Sequence, residues 1–249
     1  MIKPTLHPSK KNRPAGCRAL AALSAVTCAA LWTLPATVSG QIYVANQGNG
    51  TIGEYTTAGA TVNASLVTGL WGPEGLVVSG GDIFVTSYLD GTIGEYTTAG
   101  TTVNASLISG LNHPFGLVQS GGDLFVVNNG SGTIGEYTLA GATVNTTLVS
   151  GLNAPVGLAV SGDDLFVVNG GTDTAGEYTT AGATVNADLV SGLADPFGIA
   201  VSGGDIFVVN QTTDTVGEYS TAGATVNTAL ITDLDGPTFI SVATAPEPL

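Results

Sequence analysis

The sequence predicts an all-β fold of five equivalent four-stranded sheets, and three observations carry that prediction. The tripeptide Gly-Glu-Tyr recurs at Gly53, Gly94, Gly135, Gly176 and Gly217, every interval being 41 residues, and Thr-Val-Asn ends at Asn63, Asn104, Asn145, Asn186 and Asn227 with the same period. Each unit is a series of short β-rich runs separated by turn residues. After Gly40 no segment sustains the apolar spacing of an amphipathic helix. With 43% hydrophobic residues and only 10% charged, the chain can bury a core and is not a disordered polymer.

Within a unit the runs follow in order, as at Ile83–Val85, Thr92–Thr97, Thr102–Leu107 and Gly116–Val118, which reads as a four-stranded meander. The connections have a mechanism. Ala-Gly pairs ending at Gly59, Gly100, Gly141, Gly182 and Gly223 supply the positive φ of a tight hairpin, and Ser79–Asp82 and Ser161–Asp164 serve the next turn. Four strands per repeat of about 40 residues is the pattern of a β-propeller blade; a parallel β-helix needs a much shorter period. Five units, 41–81, 82–122, 123–163, 164–204 and 205–245, precede a tail at 246–249. The first unit begins with Ile42–Asn46, the equivalent of part of Asp205–Asn210, and lacks the Pro-x-Gly-Leu strand that precedes that position later in the chain. Phe239–Ala243 after Pro237 is that missing strand. Its pairing with Ile42–Asn46 is expected to close a single five-bladed ring and remove exposed sheet edges; the rival is a larger ring, assembled from two chains or represented here by a truncated gene product.

All five cationic residues, Lys3, Lys10, Lys11, Arg13 and Arg18, lie at the start, followed by an apolar run from Ala19 to Val38 and then Ser39 and Gly40. This is the pattern of an export signal over residues 1–40, cleaved after Gly40. A retained membrane anchor is the alternative, disfavoured by Pro35 within the run. Both cysteines, Cys17 and Cys28, fall in this segment, so residues 41–249 hold neither disulfide nor thiol. The expected location is outside the cytoplasm, in the extracellular space, at the cell surface or in the periplasm, with no membrane insertion of residues 41–249.

All 19 acidic residues lie after position 40, with no Lys or Arg among them. Nucleic acid and anionic membranes are excluded as partners because both require cationic side chains. Cations, neutral carbohydrates and proteins remain. Any buried carboxylate must accept hydrogen bonds, hold a metal ion or stay protonated.

The stretches Pro196–Asn210 (PFGIAVSGGDIFVVN) and Ile42–Ile52 (IYVANQGNGTI) resemble NHL-type and YVTN-type propeller repeats of secreted bacterial proteins, over the whole of Gln41–Ala245. The resemblance implies the propeller fold. It does not imply one activity, since such families hold binding modules, scaffolds and a few enzymes. The ending Ala245-Pro-Glu-Pro-Leu249 resembles the opening of the PEP-CTERM sorting signal of Gram-negative bacteria, although the apolar helix and basic cluster of that signal are not in this sequence.

Because the units are near copies, an asymmetric site must lie where they differ. One variable stretch precedes the innermost strand: Trp71-Gly-Pro-Glu74, Asn112-His-Pro-Phe115, Asn153-Ala-Pro-Val156, Ala194-Asp-Pro-Phe197 and Asp235-Gly-Pro-Thr238. Glu74, Asp195 and Asp235 make an acidic arc at the channel mouth, with Trp71 and His113 beside it. These five are the candidate ligand-binding residues. The three carboxylates are the candidate ligands of a hard cation such as Ca2+, and Trp71 offers a stacking face to a sugar. The second variable stretch, Gln47–Gly50, Tyr88–Gly91, Asn129–Gly132, Gly170–Asp173 and Gln211–Asp214, reads as ordinary turns, with Asn46, Asn128, Asn169 and Asn210 capping them. The repeated Glu54, Glu95, Glu136, Glu177 and Glu218 read as structural, each in a blade-to-blade hydrogen bond.

No catalytic residue is assigned. Residues 41–249 contain a single histidine, His113, with no serine placed to make a triad with it. The expected function is a non-catalytic binding or surface-interaction module. A self-associating extracellular scaffold is the first alternative. The less favoured one is an enzyme, either a glycoside hydrolase using a pair among Glu74, Asp195 and Asp235 or a gluconolactonase-like metal enzyme.

Overall fold

The computed structural model describes residues 40–242. Residues 1–39 of the expected export segment, the last residue of the expected closing strand (Ala243) and the 246–249 tail lie outside the described residues.

The described chain folds into five antiparallel sheets and contains no helix. The first holds β1 (Gln41–Asn46), β2 (Thr51–Thr56) and β3 (Thr61–Thr68). The second holds β4 (Pro73–Ser79), β5 (Asp82–Ser87), β6 (Thr92–Thr97) and β7 (Thr102–Ser109); the third, β8 (Pro114–Ser120), β9 (Asp123–Asn128), β10 (Thr133–Thr138) and β11 (Thr143–Ser150). The fourth holds β12 (Pro155–Ser161), β13 (Asp164–Asn169), β14 (Thr174–Thr179) and β15 (Thr184–Ser191); the fifth, β16 (Pro196–Ser202), β17 (Asp205–Asn210), β18 (Thr215–Ser220) and β19 (Thr225–Ile231). Each sheet is an up-and-down meander, so the protein is an all-β, five-bladed β-propeller. From the second blade on, a blade begins with the Pro-x-Gly-Leu or Pro-x-Gly-Ile strand and is therefore offset by one strand from the sequence unit.

Both faces of a blade are buried because its second strand is a run of consecutive apolar residues between a polar first and last position. In β5, Ile83 and Val85 pack on Ile52 and Val67 of the first blade, whereas Phe84 on the opposite face packs on Leu117, Leu124 and Val126 of the third. The same alternation places Leu165 and Val167 on the third blade and Phe166 on the fifth. Continuous apolar runs thus become two-sided strands between layers.

Glycine is required at two kinds of position. The Ala-Gly hairpins hold their glycines at φ 79 to 84°, where a β-carbon is strained. In the innermost strands the reason is proximity: a β-carbon on Gly116 would stand 2.6 Å from the Val156 carbonyl oxygen and 2.9 Å from the Leu158 nitrogen. Gly75, Gly157 and Gly198 face the next inner segment in the same way.

The expected ladder between Phe239–Ala243 and Ile42–Asn46 is not present among the described residues, and the first sheet has three strands. Thr238–Ile240 nevertheless takes the inner station. A β-carbon on Gly198 would stand 2.5 Å from the Thr238 oxygen and 3.1 Å from the Ile240 nitrogen, just as Gly116 would meet Val156 and Leu158. The segment packs against β16, and β1 keeps a free edge.

The repeated glutamates differ from expectation. Glu54 accepts a hydrogen bond from the Gln41 amide on the neighbouring strand of its own blade. Gln41 stands where later blades carry aspartate, and there the carboxyls of Glu95, Glu136 and Glu177 are pushed up by burial and then by Asp82, Asp123 and Asp164 beside them. The asparagines do not cap the turns that follow them: the Asn210 Oδ1 accepts from the Ala194 N–H at 3.1 Å, in the loop before the proline, and the Oδ1 atoms of Asn128 and Asn169 are buried without a hydrogen-bond partner.

Candidate functional site

The inner strands enclose a cavity of about 830 Å3, lined by Glu74 and Leu76 of β4, Phe115 and Leu117 of β8, Leu158 of β12, Phe197 and Ile199 of β16, Thr238–Ser241, and residues of β1 including Tyr43 and Val44. Position 74 and its equivalents Phe115, Val156, Phe197 and Thr238 share one place in successive units. Phenylalanine at two of them begins an aromatic row: Phe115 meets Phe197 edge-on with ring centres 5.5 Å apart, and Phe197 meets Phe239 at 5.4 Å. Glutamate in this row sets one acid in an apolar wall.

Glu74 is held from two sides. The Gln47 amide, from the turn of the preceding blade, donates to its carboxylate. Behind it, Thr86 replaces the alanine or valine found at Ala45, Val127, Val168 and Val209. Its hydroxyl accepts from the Gly75 N–H at 2.8 Å and donates to the Phe115 carbonyl at 2.9 Å. Thr86 is fully buried and ties the Glu74 strand to the Phe115 strand. Tyr88 stacks on His113 with centroids 4.6 Å apart and meets Phe115 edge-on at 5.3 Å.

Of the five residues expected at the channel mouth, the structure brings only Glu74 to the cavity wall. Trp71, 64% exposed, lies outside it. His113 reaches it indirectly, through Tyr88. Asp195 and Asp235 are exposed, and among the described residues no three His, Cys, Asp or Glu side chains gather closely enough to hold a metal ion. The reason lies in the loop: the residue before each proline is left-handed in all five units, Gly72, His113, Ala154, Asp195 and Gly236 at φ 46 to 64°. Asp195 and Gly236 each use the backbone N–H to donate to an aspartate of the preceding turn, Asp173 and Asp214. These loops are built around turn hydrogen bonds, with the Asp195 and Asp235 side chains outside the cavity lining. Of the turn residues read from sequence as ordinary, Gln47 lines the cavity and Tyr88 packs behind its lining residue Phe115. Their signal was available in the comparison of units, since Glu74, Thr86 and Tyr88 all depart from the repeat within one blade.

Burial pushes the Glu74 carboxyl up to about 7, against the opposing hydrogen bond from Gln47. A folded-state value above the unfolded one means that the native state holds the proton more tightly. Stability from this group is therefore complete below the unfolded value, near 4.5, and is lost as pH rises toward 7. The side chain is only half-buried, so solvent screening reduces the effect to about 1–2 kcal/mol. The protein is expected to be more stable at pH 5 than at pH 8, and Glu74→Gln to remove about 1–2 kcal/mol of that difference in denaturant unfolding. Glu95, Glu136 and Glu177 shift in the same direction and leave a residual slope; an unchanged slope in Glu74→Gln would refute the assignment.

No protein-family model and no curated protein matches the sequence. Solved structures do. A catalytically inactive variant of virginiamycin B lyase from Staphylococcus aureus, in complex with quinupristin, is similar with a TM-score of 0.66 at 18% identity, over 80% of this chain and 70% of that one. A structure of a nidogen/laminin complex is similar with a TM-score of 0.64 at 22% identity, over 77% of this chain and 76% of that one. A gluconolactonase from Xanthomonas campestris is similar with a TM-score of 0.64 at 14% identity, over 78% and 74% respectively. At these identities the likeness shows the propeller fold, which two of these proteins use for catalysis and one displays in a protein complex.

Proposed function

We propose that the chain is an exported, non-catalytic propeller of the NHL/YVTN type that binds a small, largely apolar ligand in the central cavity. The observation that carries this reading is the cavity wall itself, phenylalanine rings around a single half-buried carboxyl held by Gln47. Mostly apolar walls with one placed polar group favour a ligand with one cationic or hydrogen-bonding group. The carbohydrate and Ca2+ readings lose support because Trp71, Asp195 and Asp235 do not line the cavity. The enzymatic readings lose it because only one of the three candidate carboxylates does.

The test is a thermal melt of the protein at pH 8 and matched ionic strength against benzyltrimethylammonium, benzyl alcohol, simple sugars and Ca2+. Stabilisation by one or both benzyl compounds, lost in Phe197→Ala, is expected. Stabilisation by Ca2+ or a sugar that is lost in Asp195→Asn or Trp71→Ala would move the site to the loops. A flat panel would leave the scaffold reading, favoured by the outer strands, of which only β15 carries a charge (Asp188) and on which Val62, Val103, Val144, Val185 and Val226 are all more than half exposed.

A further inference from the structure

Glu74 is the one charged side chain in the cavity lining, and nothing in the described chain neutralises it. No Lys or Arg occurs among the described residues, and the single histidine there, His113, stacks on Tyr88 outside the lining. Among the described residues only the Gln47 amide donates to the carboxyl; it takes Oε1 and leaves Oε2 without a donor. A half-buried carboxylate with no cation beside it is disfavoured when ionised. Its countercharge has to come from outside the chain.

The chemistry of the wall selects among cations. A hard metal ion needs several oxygen ligands, and here one carboxyl stands among apolar side chains, with no cluster of three His, Cys, Asp or Glu among the described residues. A neutral guest covering the ionised carboxyl would strip its water without replacing those hydrogen bonds. An organic ammonium replaces them with an N–H to Oε2, a charge-assisted bond. Its positive charge also suits the rings of Phe115, Phe197 and Phe239, which line the same cavity. The field of 19 acidic residues, with no Lys or Arg beyond position 18, concentrates cations around the protein.

Resting on the cavity reading above, we infer that the ligand is a protonated organic amine with an apolar body, its N–H group donating to Glu74, and that it is held only while Glu74 is ionised. Around Glu74, the β1–β2 turn contributes Gln47, β5 the hydroxyl of Thr86, and β8 Phe115 and Leu117, none of them charged. Tyr88 and His113 stand behind Phe115. Tyr43 of β1 is the other titratable side chain in the lining, and burial and then Glu54 push its phenol up, so it stays neutral at pH 8 and below. Glu74, pushed up to about 7 by burial, is therefore the lining group that changes charge between pH 5 and pH 8. A ligand held by the ionised form binds about tenfold more weakly for each pH unit below that value. In that range its binding releases the Glu74 proton to solvent.

The test is titration calorimetry of the protein with benzylamine and benzyl alcohol, which share a ring and differ in charge. At pH 8 the amine should bind at least about tenfold more tightly than the alcohol. At pH 5.5 the amine should bind about thirtyfold more weakly than at pH 8, whereas the alcohol should not weaken. Glu74→Gln, shown by circular dichroism to be folded, should bring the amine down to the level of the alcohol. An amine that binds no better than the alcohol, or equally at both pH values, would overturn the ammonium assignment; the cavity reading would stand if the alcohol still binds and Phe197→Ala abolishes it. Amine binding that persists in Glu74→Gln would place the cation on the acidic surface and also overturn the assignment. Binding of neither compound at either pH would overturn both readings.

Discussion

Gly116→Ala should cost about 3 kcal/mol, because a methyl group at this position has nowhere to go without moving two backbones apart. Its β-carbon would lie 2.6 Å from the Val156 oxygen and 2.9 Å from the Leu158 nitrogen, and backbone atoms of a close-packed neighbour do not rotate away as a flexible side chain does. The natural control is Gly122→Ala in the following turn, where nothing lies within 4 Å and no left-handed φ is required. That change should be neutral or stabilise by about 0.4–1 kcal/mol through the unfolded state. Urea unfolding of both variants checks the pair. Equal effects at the two positions would show that close approach of the inner strands does not set the ring.

Phe166→Ala should cost about 4 kcal/mol, within the range for emptying a large buried site. Phe166 is 1% exposed and sits in the core shared by the fourth and fifth blades with Ile199, Ile206 and Val208. In a domain of this size such a loss lowers the melting temperature by roughly 8–16 °C. Phe239→Ala, at the unpaired end of the ring, should cost much less in the isolated chain because its side chain is already half exposed. The contrast separates the sealed junctions from the open one. Similar costs at the two positions would mean that the end of the ring is as tightly packed as its middle.

The parts of the site that were legible in the sequence are those fixed by a single residue replacing a repeated one. Glu74 stands out because its equivalents are Phe115, Val156, Phe197 and Thr238, and it is the one expected ligand residue that lines the cavity. Thr86 and Tyr88 carry the same kind of signal. They pass for turn and strand residues until the structure shows Thr86 bonded to two inner strands and Tyr88 bridging His113 and Phe115. The acidic arc was legible only as composition. Asp195 and Asp235 are near Glu74 in the order of blades, but their side chains belong to loops organised by backbone hydrogen bonds, and no spacing in the sequence encodes where those loops point.

The sequence by itself determined the strands, their order in each blade and the number of blades, because a 41-residue repeat with fixed glycine turns leaves a four-stranded meander as the only way to bury two apolar faces per strand. It also determined the charge, and with it the expectation that polyanions are not partners. Only the tertiary structure decided how the ends of the ring meet. Strand formation and turn type are local and repeat with the sequence, whereas the fit of the first blade to the last is a long-range contact that occurs once and has no copy in the repeat. Ile42, Val44 and Ile231 are exposed although their equivalents in the repeat are buried, a difference that no comparison of near-identical units can reveal.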